Sequence, residues 1–157
     1  MAKKSASQAK IKKPEENFEP IEEVFEEAKK LFIMTVETQI KTAERIDNLL
    51  NIRDLAYNFY HGEGSWNDLD ELKRLQDISV MAYKKVLEAS KEFSLDEFRK
   101  PEIKDYYADL IPSVDDIEND GDLLDAVIIF LSIQPYGNKL VQMHQLIQQE
   151  LAKRGEL

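Results

Sequence analysis

The feature that most constrains the fold is a stripe of apolar residues from Ile21 to about Tyr60, spaced mostly three or four residues apart. This spacing places side chains on one face of an α-helix, and no Pro or Gly interrupts the segment. At 1.5 Å per residue, the helix would be a rod of about 60 Å. A rod of that length either breaks around Asn48–Asn51, or extends past its own bundle and pairs with a second copy.

A second helix is expected after the Gly-containing turn at residues 61–65. Ser65 or Asn67 has the side chain preferred at a helix N-cap, and an apolar stripe then continues to about Phe93. This segment is about 27 residues long, so it can cover only part of the first rod.

Short elements are expected between this helix and the next long apolar segment. Ser94 and Glu97 have the spacing of a capping box, which predicts a short helical turn. Pro101 can begin another short helix, which would end at Ile111 because a proline follows. Residues 114–122 form an acidic linker or short turn.

The segment from Leu123 to Ile133 is apolar on every side, which predicts a helix surrounded by the rest of the bundle. A short buried strand at Val127–Phe130 is the competing interpretation. The sequence Gln134-Pro-Tyr-Gly137 predicts a turn, followed by a last helix that stops before Gly155. The residues expected to face inward on this last helix are Leu140, Val141, His144, Ile147 and Leu151.

Together these patterns predict an all-α bundle of about five helices with a long first helix. The chain of 157 residues contains only 5 Gly and 5 Pro, too few turns for a β-sandwich or barrel. Residues 1–16 are expected to be a disordered basic tail, and residues 17–157 a single helical domain.

The composition also limits the cellular environment and the chemistry. There is no cysteine, which excludes disulfides and thiolate sites and suits a reducing compartment. The longest apolar run, Ala126–Leu131, is far shorter than a membrane span of about 20 residues. The start of the chain lacks the apolar segment of a secretory signal. We therefore expect a cytoplasmic protein without membrane insertion.

The net charge of −10 is unevenly distributed. Residues 1–13 contain five lysines and no acid, which leaves 16 basic residues against 31 acidic ones, a net charge of −15, in the remaining chain. A body this acidic repels phosphate backbones, so nucleic acid could be held only by the tail.

The acidic segment 115–125 is the strongest candidate for a metal site. Asp116, Glu118 and Asp120 are followed by Gly121, and over twelve residues this order resembles the calcium-binding loop of an EF-hand. The resemblance implies a site for Ca²⁺ or Mg²⁺, but Val127 stands where an EF-hand has its bidentate Glu. The alternative is a loop whose carboxylates stabilise the start of the next helix. The candidate ligands are Asp116, Glu118, Asp120 and Asp122.

Acids at helical spacing in 22–27 and 118–125 are also similar to the magnesium-binding acids of all-α nucleotide pyrophosphohydrolases. In that family the acids lie close together in the chain, whereas about 90 residues separate them here.

His61 and His144 have no partner at metal-ligand spacing. The sequence contains no complete catalytic or cofactor-binding signature, so we expect no cofactor.

Tyrosine and tryptophan near the turn at 61–65 indicate either a recognition surface or filled junctions between helices. The sequence therefore predicts a non-catalytic protein–protein interaction module, such as an adaptor, an assembly factor or a secretion-type chaperone, that is a homodimer. The alternatives are a metal-dependent protein that uses the acidic loop, and a nucleic-acid accessory protein that uses the tail. The candidate interaction residues are Tyr57, Tyr60, Trp66, Phe32 and Val36.

Overall fold

The computed structural model describes residues 19–61 and 69–157, and these residues form a helical bundle without a strand. The prediction of an all-α fold is confirmed. Val127–Phe130 lies within a helix, so the alternative of a buried strand is wrong. The helices are α1 (Ile21–Ala43), α2 (Ile46–His61), α3 (Leu69–Lys91), α4 (Leu95–Phe98) and α5 (Asp120–Lys153). Two 3₁₀ turns, Ala108–Leu110 and Val114–Asp116, lie between α4 and α5.

The first apolar stripe is divided between α1 and α2, which meet at Glu44 and Arg45. The break lies a few residues before the expected position at Asn48–Asn51. A residue of another helix stabilises this break. The side-chain amide of Gln76 in α3 donates to the carbonyl oxygen of Ala43 at 3.3 Å and also to that of Glu44. These carbonyls have no partner within α1, since they belong to its last turn.

The rod formed by α1 and α2 runs antiparallel to α3. Phe32 contacts Phe93 just after the end of α3, with ring centroids 5.6 Å apart. The carbonyl oxygen of Ala43 accepts a hydrogen bond from Gln76, which lies near the start of α3. Val36 in α1 and Val86 in α3 are completely buried between these contacts.

The same rod runs antiparallel to α5. Phe32 lies 6.1 Å from Tyr136, measured between ring centroids, and Tyr60 at the other end hydrogen-bonds to Asp120 at the start of α5. Both α1 and α2 contact α3 and α5. The core is therefore a three-part bundle in which a broken rod packs against two helices.

Helices α3 and α5 run parallel to each other. Arg74 near the start of α3 forms an ion pair with Asp125, and the Tyr83 ring lies 5.9 Å from the Tyr136 ring further along both helices. Parallel neighbours need a long connection, which here is the segment that contains α4 and the two 3₁₀ turns.

The predicted turn at Gln134–Gly137 is wrong, because α5 continues through Pro135 for 34 residues. At 1.5 Å per residue this helix is about 50 Å long. Proline cannot donate a backbone hydrogen bond to Leu131, which costs stability within a helix. The cost is offset because Ile133 and Tyr136, on either side of the proline, are both buried in the core.

The short helical turn expected from Ser94 and Glu97 is present as α4, with Ser94 as its N-cap residue, but the capping box is not formed. The Ser94 hydroxyl does not bond to a backbone amide and instead lies 3.4 Å from the Glu97 carboxylate. The helix expected over Pro101–Ile111 is reduced to the 3₁₀ turn at Ala108–Leu110.

Polar side chains of α5 fix this irregular segment to the bundle. His144 Nε2 donates to the carbonyl oxygen of Lys100 at 2.7 Å, and the Gln148 amide donates to those of Phe98 and Lys100 at 2.9 Å. His144 is buried, and this hydrogen bond occupies its Nε2 atom.

The predicted end of the last helix is confirmed. Gly155 has a φ of +72°, and its amide donates to Ala152, while the amide of Glu156 donates to Leu151 at 2.9 Å. This pair of bonds is the Schellman motif, and glycine adopts the positive φ without a steric penalty. In the part of the chain that is described, no helix combines the length and apolar character needed to cross a membrane.

Candidate protein-interaction surface

One side of α5 exposes almost no charge. Between residues 126 and 149, ten side chains of this helix are exposed and only one of them, Lys139, is charged. On α3, by contrast, eight side chains are exposed and seven of them are charged. The ten exposed residues in this part of α5 are Phe130, Gln134, Pro135, Asn138, Lys139, Val141, Gln142, Gln145, Leu146 and Gln149.

Uncharged residues of α1 extend this surface. Leu31 and Met34 are 59% and 50% exposed, and Thr38 lies one turn further along the helix. A shallow groove of about 220 Å³ separates α1 from α5, and its walls include Leu31, Thr35 and Leu146. On α1 this surface ends at charged residues, because Glu27 is exposed one turn before Leu31 and Met34 lines a second pocket together with Glu26 and Lys30. We refer to the ten residues of α5 together with Leu31, Met34, Thr35 and Thr38 as the charge-poor face.

The centre of the charge-poor face is a row of amide side chains. Helical spacings of three and four residues place these side chains along one line on α5. Exposed apolar residues flank the row, with Phe130 and Val141 on one side and Leu146 on the other. The amide row consists of Gln134, Asn138, Gln142, Gln145 and Gln149.

The chemistry of this face suits binding rather than catalysis. Amides donate and accept hydrogen bonds, and apolar side chains gain free energy when they leave water, but neither supplies a nucleophile or a general acid. Depletion of charge distinguishes the cores of protein interfaces from ordinary surface. In a chain of which 33% is charged, a long helix face with one charge is the described surface that most resembles such a core.

The aromatic residues predicted for recognition lie elsewhere, at the end of α2. The rings of Tyr57 and Tyr60 lie 4.7 Å and 4.1 Å from the His61 ring, so the three residues form one cluster. A hydrogen bond to Asp120 raises the pKa of Tyr60. Tyr57 and Tyr60 are both partly exposed, while Trp66 lies outside the described residues.

The other two predicted interaction residues, Phe32 and Val36, are in the core of the chain itself. Phe32 packs between Phe93 and Tyr136, and Val36 has no exposed surface. The sequence predicts them at a dimer interface because the first rod is longer than the helices expected to cover it. Since α5 is continuous, it covers these residues within one chain.

Carboxylates of the acidic segment cap the 3₁₀ turn at Val114–Asp116 and organise the start of α5. Asp116 accepts from the amide and hydroxyl of Ser113 at 3.2 Å and 3.0 Å. Asp122 accepts from the amide of Glu118 at 3.0 Å, and its own amide donates to the side chain of Asn119 at 2.9 Å. These are hydrogen bonds of a capping segment.

The helix begins at Asp120, so the second half of the EF-hand-like sequence is helical rather than a loop. Among the described residues, no three acidic or histidine side chains are grouped so that they could hold a metal ion. The four predicted ligands, Asp116, Glu118, Asp120 and Asp122, are therefore not brought together around one point.

Sequence reasoning missed the charge-poor face although its signal is present in the sequence. The 24 residues from 126 to 149 contain one charged residue, where the average of the chain would give about eight. The sequence predicts here a helix packed on all sides by the bundle, followed by a turn. In such a helix the absence of charged residues indicates burial. The structure leaves Phe130 and Val141 40% and 45% exposed, and the inward position expected for Val141 is wrong.

Comparison of the chain with protein-family models, curated protein sequences and solved structures finds no match. The function that can be assigned therefore depends on the chemistry of the surface described above.

Proposed function

We propose that this chain is a non-catalytic protein–protein interaction module of the cytoplasm, and that its binding surface is the charge-poor face. Adaptors, assembly factors and secretion-type chaperones belong to this class. The observation that supports the proposal most is the contrast between residues 126–149 of α5, with one charge among ten exposed residues, and residues 70–91 of α3, with seven among eight.

The physical argument concerns the cost of removing a surface from water. A charged side chain loses hydration when a partner covers it, and this cost is recovered only if it finds an opposite charge. Amide and aliphatic side chains lose much less. Leu31, Met34 and Leu146 also gain from burial, at about 25 cal/mol per Å² of apolar surface. The charge-poor face is therefore the part of the described surface that can be covered at the lowest cost.

The alternative functions have weaker support. In the acidic segment Asp116 caps the 3₁₀ turn at Val114–Asp116 and Asp122 bonds at the start of α5, which accounts for both carboxylates without a metal ion. Nucleic-acid binding would depend on the basic tail, which lies outside the described residues.

Site-specific photo-crosslinking in the source cells tests the proposal. A photo-reactive amino acid at Gln142, in the centre of the face, is expected to give covalent protein adducts, which mass spectrometry identifies. The same amino acid at Asn51, an exposed position on α2, is the matched control and should give none. Absence of adducts at Gln142, or equal adducts at both positions, would contradict the proposal.

A further inference from the structure

We infer that the basic tail of this chain binds to its own α1, on the side of that helix that carries most of its exposed acids. The inference does not depend on the proposed function, because this side of α1 lies away from the groove between α1 and α5. The charge of α1, the composition of the tail and the distance between them support it.

A shallow pocket of about 790 Å³ runs along the outer side of α1 from Glu19, the first residue of the described chain. Its apolar lining residues are Ile33 and Met34. The other lining side chains are five carboxylates and only two ammonium groups, so the pocket suits a segment with positive and aliphatic side chains. The five carboxylates belong to Glu19, Glu23, Glu26, Glu27 and Glu37, and the ammonium groups to Lys29 and Lys30.

The described residues do not neutralise these five carboxylates. None of the five forms an ion pair within the described ranges, whereas acids elsewhere do, such as Asp77 with Lys73. Lys29 is directed toward the end of α3, where its Nζ donates to the carbonyl oxygen of Phe93 at 3.0 Å. Carboxylates four residues apart on a helix repel each other, and two such pairs occur here. A bound cationic segment would relieve this repulsion.

The basic tail has the matching composition. Residues 1–13, which lie outside the described part of the chain, contain five lysines and no acid. The last four of them, Lys10-Ile11-Lys12-Lys13, combine three ammonium groups with one aliphatic side chain. The ammonium groups attract the carboxylates of the pocket, and the aliphatic side chain gains free energy by covering Ile33 and Met34.

The distance favours α1 over the acidic segment 115–125. The six residues from Lys13 to Glu19 can span up to about 20 Å, whereas α1 rises only about 12 Å from Glu19 to Glu27. The acidic segment lies at the other end of the rod, where Asp120 bonds to Tyr60, roughly 60 Å from Glu19. The lysines next to α1 therefore reach the pocket but not the acidic segment.

Bound in this way, the tail is an internal counter-charge for α1. Each exposed pair of a lysine and a carboxylate is weak and is screened by salt. Several pairs act together here, and the covalent connection holds the tail at a local concentration on the order of millimolar. We therefore expect a contact that forms at low salt, and that any anionic partner of the lysines has to displace.

Paramagnetic broadening in nuclear magnetic resonance spectra tests the inference. The chain has no cysteine, so Ser7→Cys gives a single attachment site for a nitroxide label. At about 10 mM salt, where the Debye length is about 30 Å, the label should broaden the amide signals of residues 23–37 and leave that of Asn51 on α2 sharp. At about 1 M salt, where the Debye length is about 3 Å, most of this broadening should be lost.

Neutral variants of α1 show whether its carboxylates hold the tail. A triple substitution in the pocket should reduce the broadening at least threefold, whereas a triple substitution of exposed acids before α5 changes the net charge equally and should leave it unchanged. Circular dichroism should be the same for both, because all six side chains are exposed. The pocket variant combines Glu23→Gln, Glu26→Gln and Glu27→Gln, and its control combines Asp109→Asn, Asp115→Asn and Glu118→Gln.

Exchange of the charges gives the most specific result. Substitution of Lys10, Lys12 and Lys13 by Glu should abolish the broadening of α1, because the tail is then repelled. Combining this change with Lys at positions 23, 26 and 27 should restore the broadening, since opposite charges meet again.

Three results would overturn the inference. The first is broadening that is equal at low and high salt, and the second is an equal loss in the pocket variant and its control. The third is broadening of an unlabelled, isotope-enriched chain by a labelled chain in the same sample, which would show that the tail binds another molecule instead of its own α1.

Discussion

The side-chain amide of Gln76 in α3 donates to the carbonyl oxygen of Ala43, at the point where α1 ends and the chain turns into α2. The same nitrogen bonds to the carbonyl oxygen of Glu44. Gln76 is buried, so these bonds form away from water and compensate carbonyl groups that the broken helix leaves without partners. A residue far away in the sequence thus stabilises the break.

Gln76→Leu should lower the free energy of unfolding by about 1 to 3 kcal/mol. The substitution keeps the volume of the side chain but leaves two carbonyl groups without their donor. Urea denaturation measures the change. Lys73→Ala, one turn away, removes only an exposed ion pair with Asp77 and should change stability by less than about 0.5 kcal/mol. Equal effects of both substitutions would contradict the assigned role of Gln76.

Pro135→Ala should raise the free energy of unfolding by about 1 to 3 kcal/mol, because alanine restores the hydrogen bond to Leu131 that proline cannot make. Gly137→Ala should add about 0.5 to 1 kcal/mol, since nothing lies within 4 Å of the new methyl group and the backbone there is helical. Thermal denaturation of dilute protein measures both. If the chain turned at these residues, neither substitution would be stabilising.

Tyr107→Phe should stabilise the chain by about 1 kcal/mol at neutral pH. The ring of Tyr107 is buried and its hydroxyl has no hydrogen-bond partner, so the native state loses nothing when the hydroxyl is removed. Equilibrium denaturation at pH 7 measures the change. A destabilised variant would show that the hydroxyl has a partner in solution.

Stability should fall as the pH rises above 10. Burial raises the pKa of Tyr107 and of Tyr136 above the ordinary value of 10.0, so the folded chain keeps both phenols neutral where the unfolded chain ionises them. The stabilisation is complete below pH 10 and is lost above it, by about 1.4 kcal/mol per pH unit for each tyrosine. Denaturation from pH 9 to 11 should show a shallower decline for Tyr107→Phe and for Tyr136→Phe. An unchanged slope in both variants would contradict this origin.

Val36→Asp should unfold the chain, because it places an unpaired charge at a position without solvent exposure. Lys41→Asp, on the exposed side of the same helix, should leave the helix content unchanged. Circular dichroism separates the two results. A folded, monomeric Val36→Asp chain would mean that this position lies at an interface between copies, as the sequence alone suggested.

Periodicity in the sequence predicts most of the helices but not their ends. The stripe from Ile21 to Tyr60 shows which side of α1 and α2 is buried, and it applies equally to one helix or to two. The position of the break depends on Gln76, whose partners are distant in sequence. The end of α5 was predicted correctly because Gly155 supplies a local signal, a positive φ that its own residue type favours.

The turn expected at Pro135 shows where local signals fail. Proline and glycine are the strongest markers of turns, yet here core packing on both sides of Pro135 outweighs them. The predicted turn also divides α5 into two short helices, and neither is long enough to cover the first rod. This is why the sequence predicts Phe32 and Val36 at a dimer interface. The charge-poor face could not be predicted for the same reason, because two short helices joined by a turn do not share one exposed face.

The arrangement of α5 also affects how the chain is completed during synthesis. This helix contacts α1, α2, α3 and α4, but it is translated after all of them. Until its residues leave the ribosome, the apolar sides of α1 and α2, with Phe32 and Leu49, have only α3 to cover them. At about 5 to 20 residues per second, the 34 residues of α5 take several seconds to make. During that interval the apolar residues that α5 covers in the finished fold remain exposed to water.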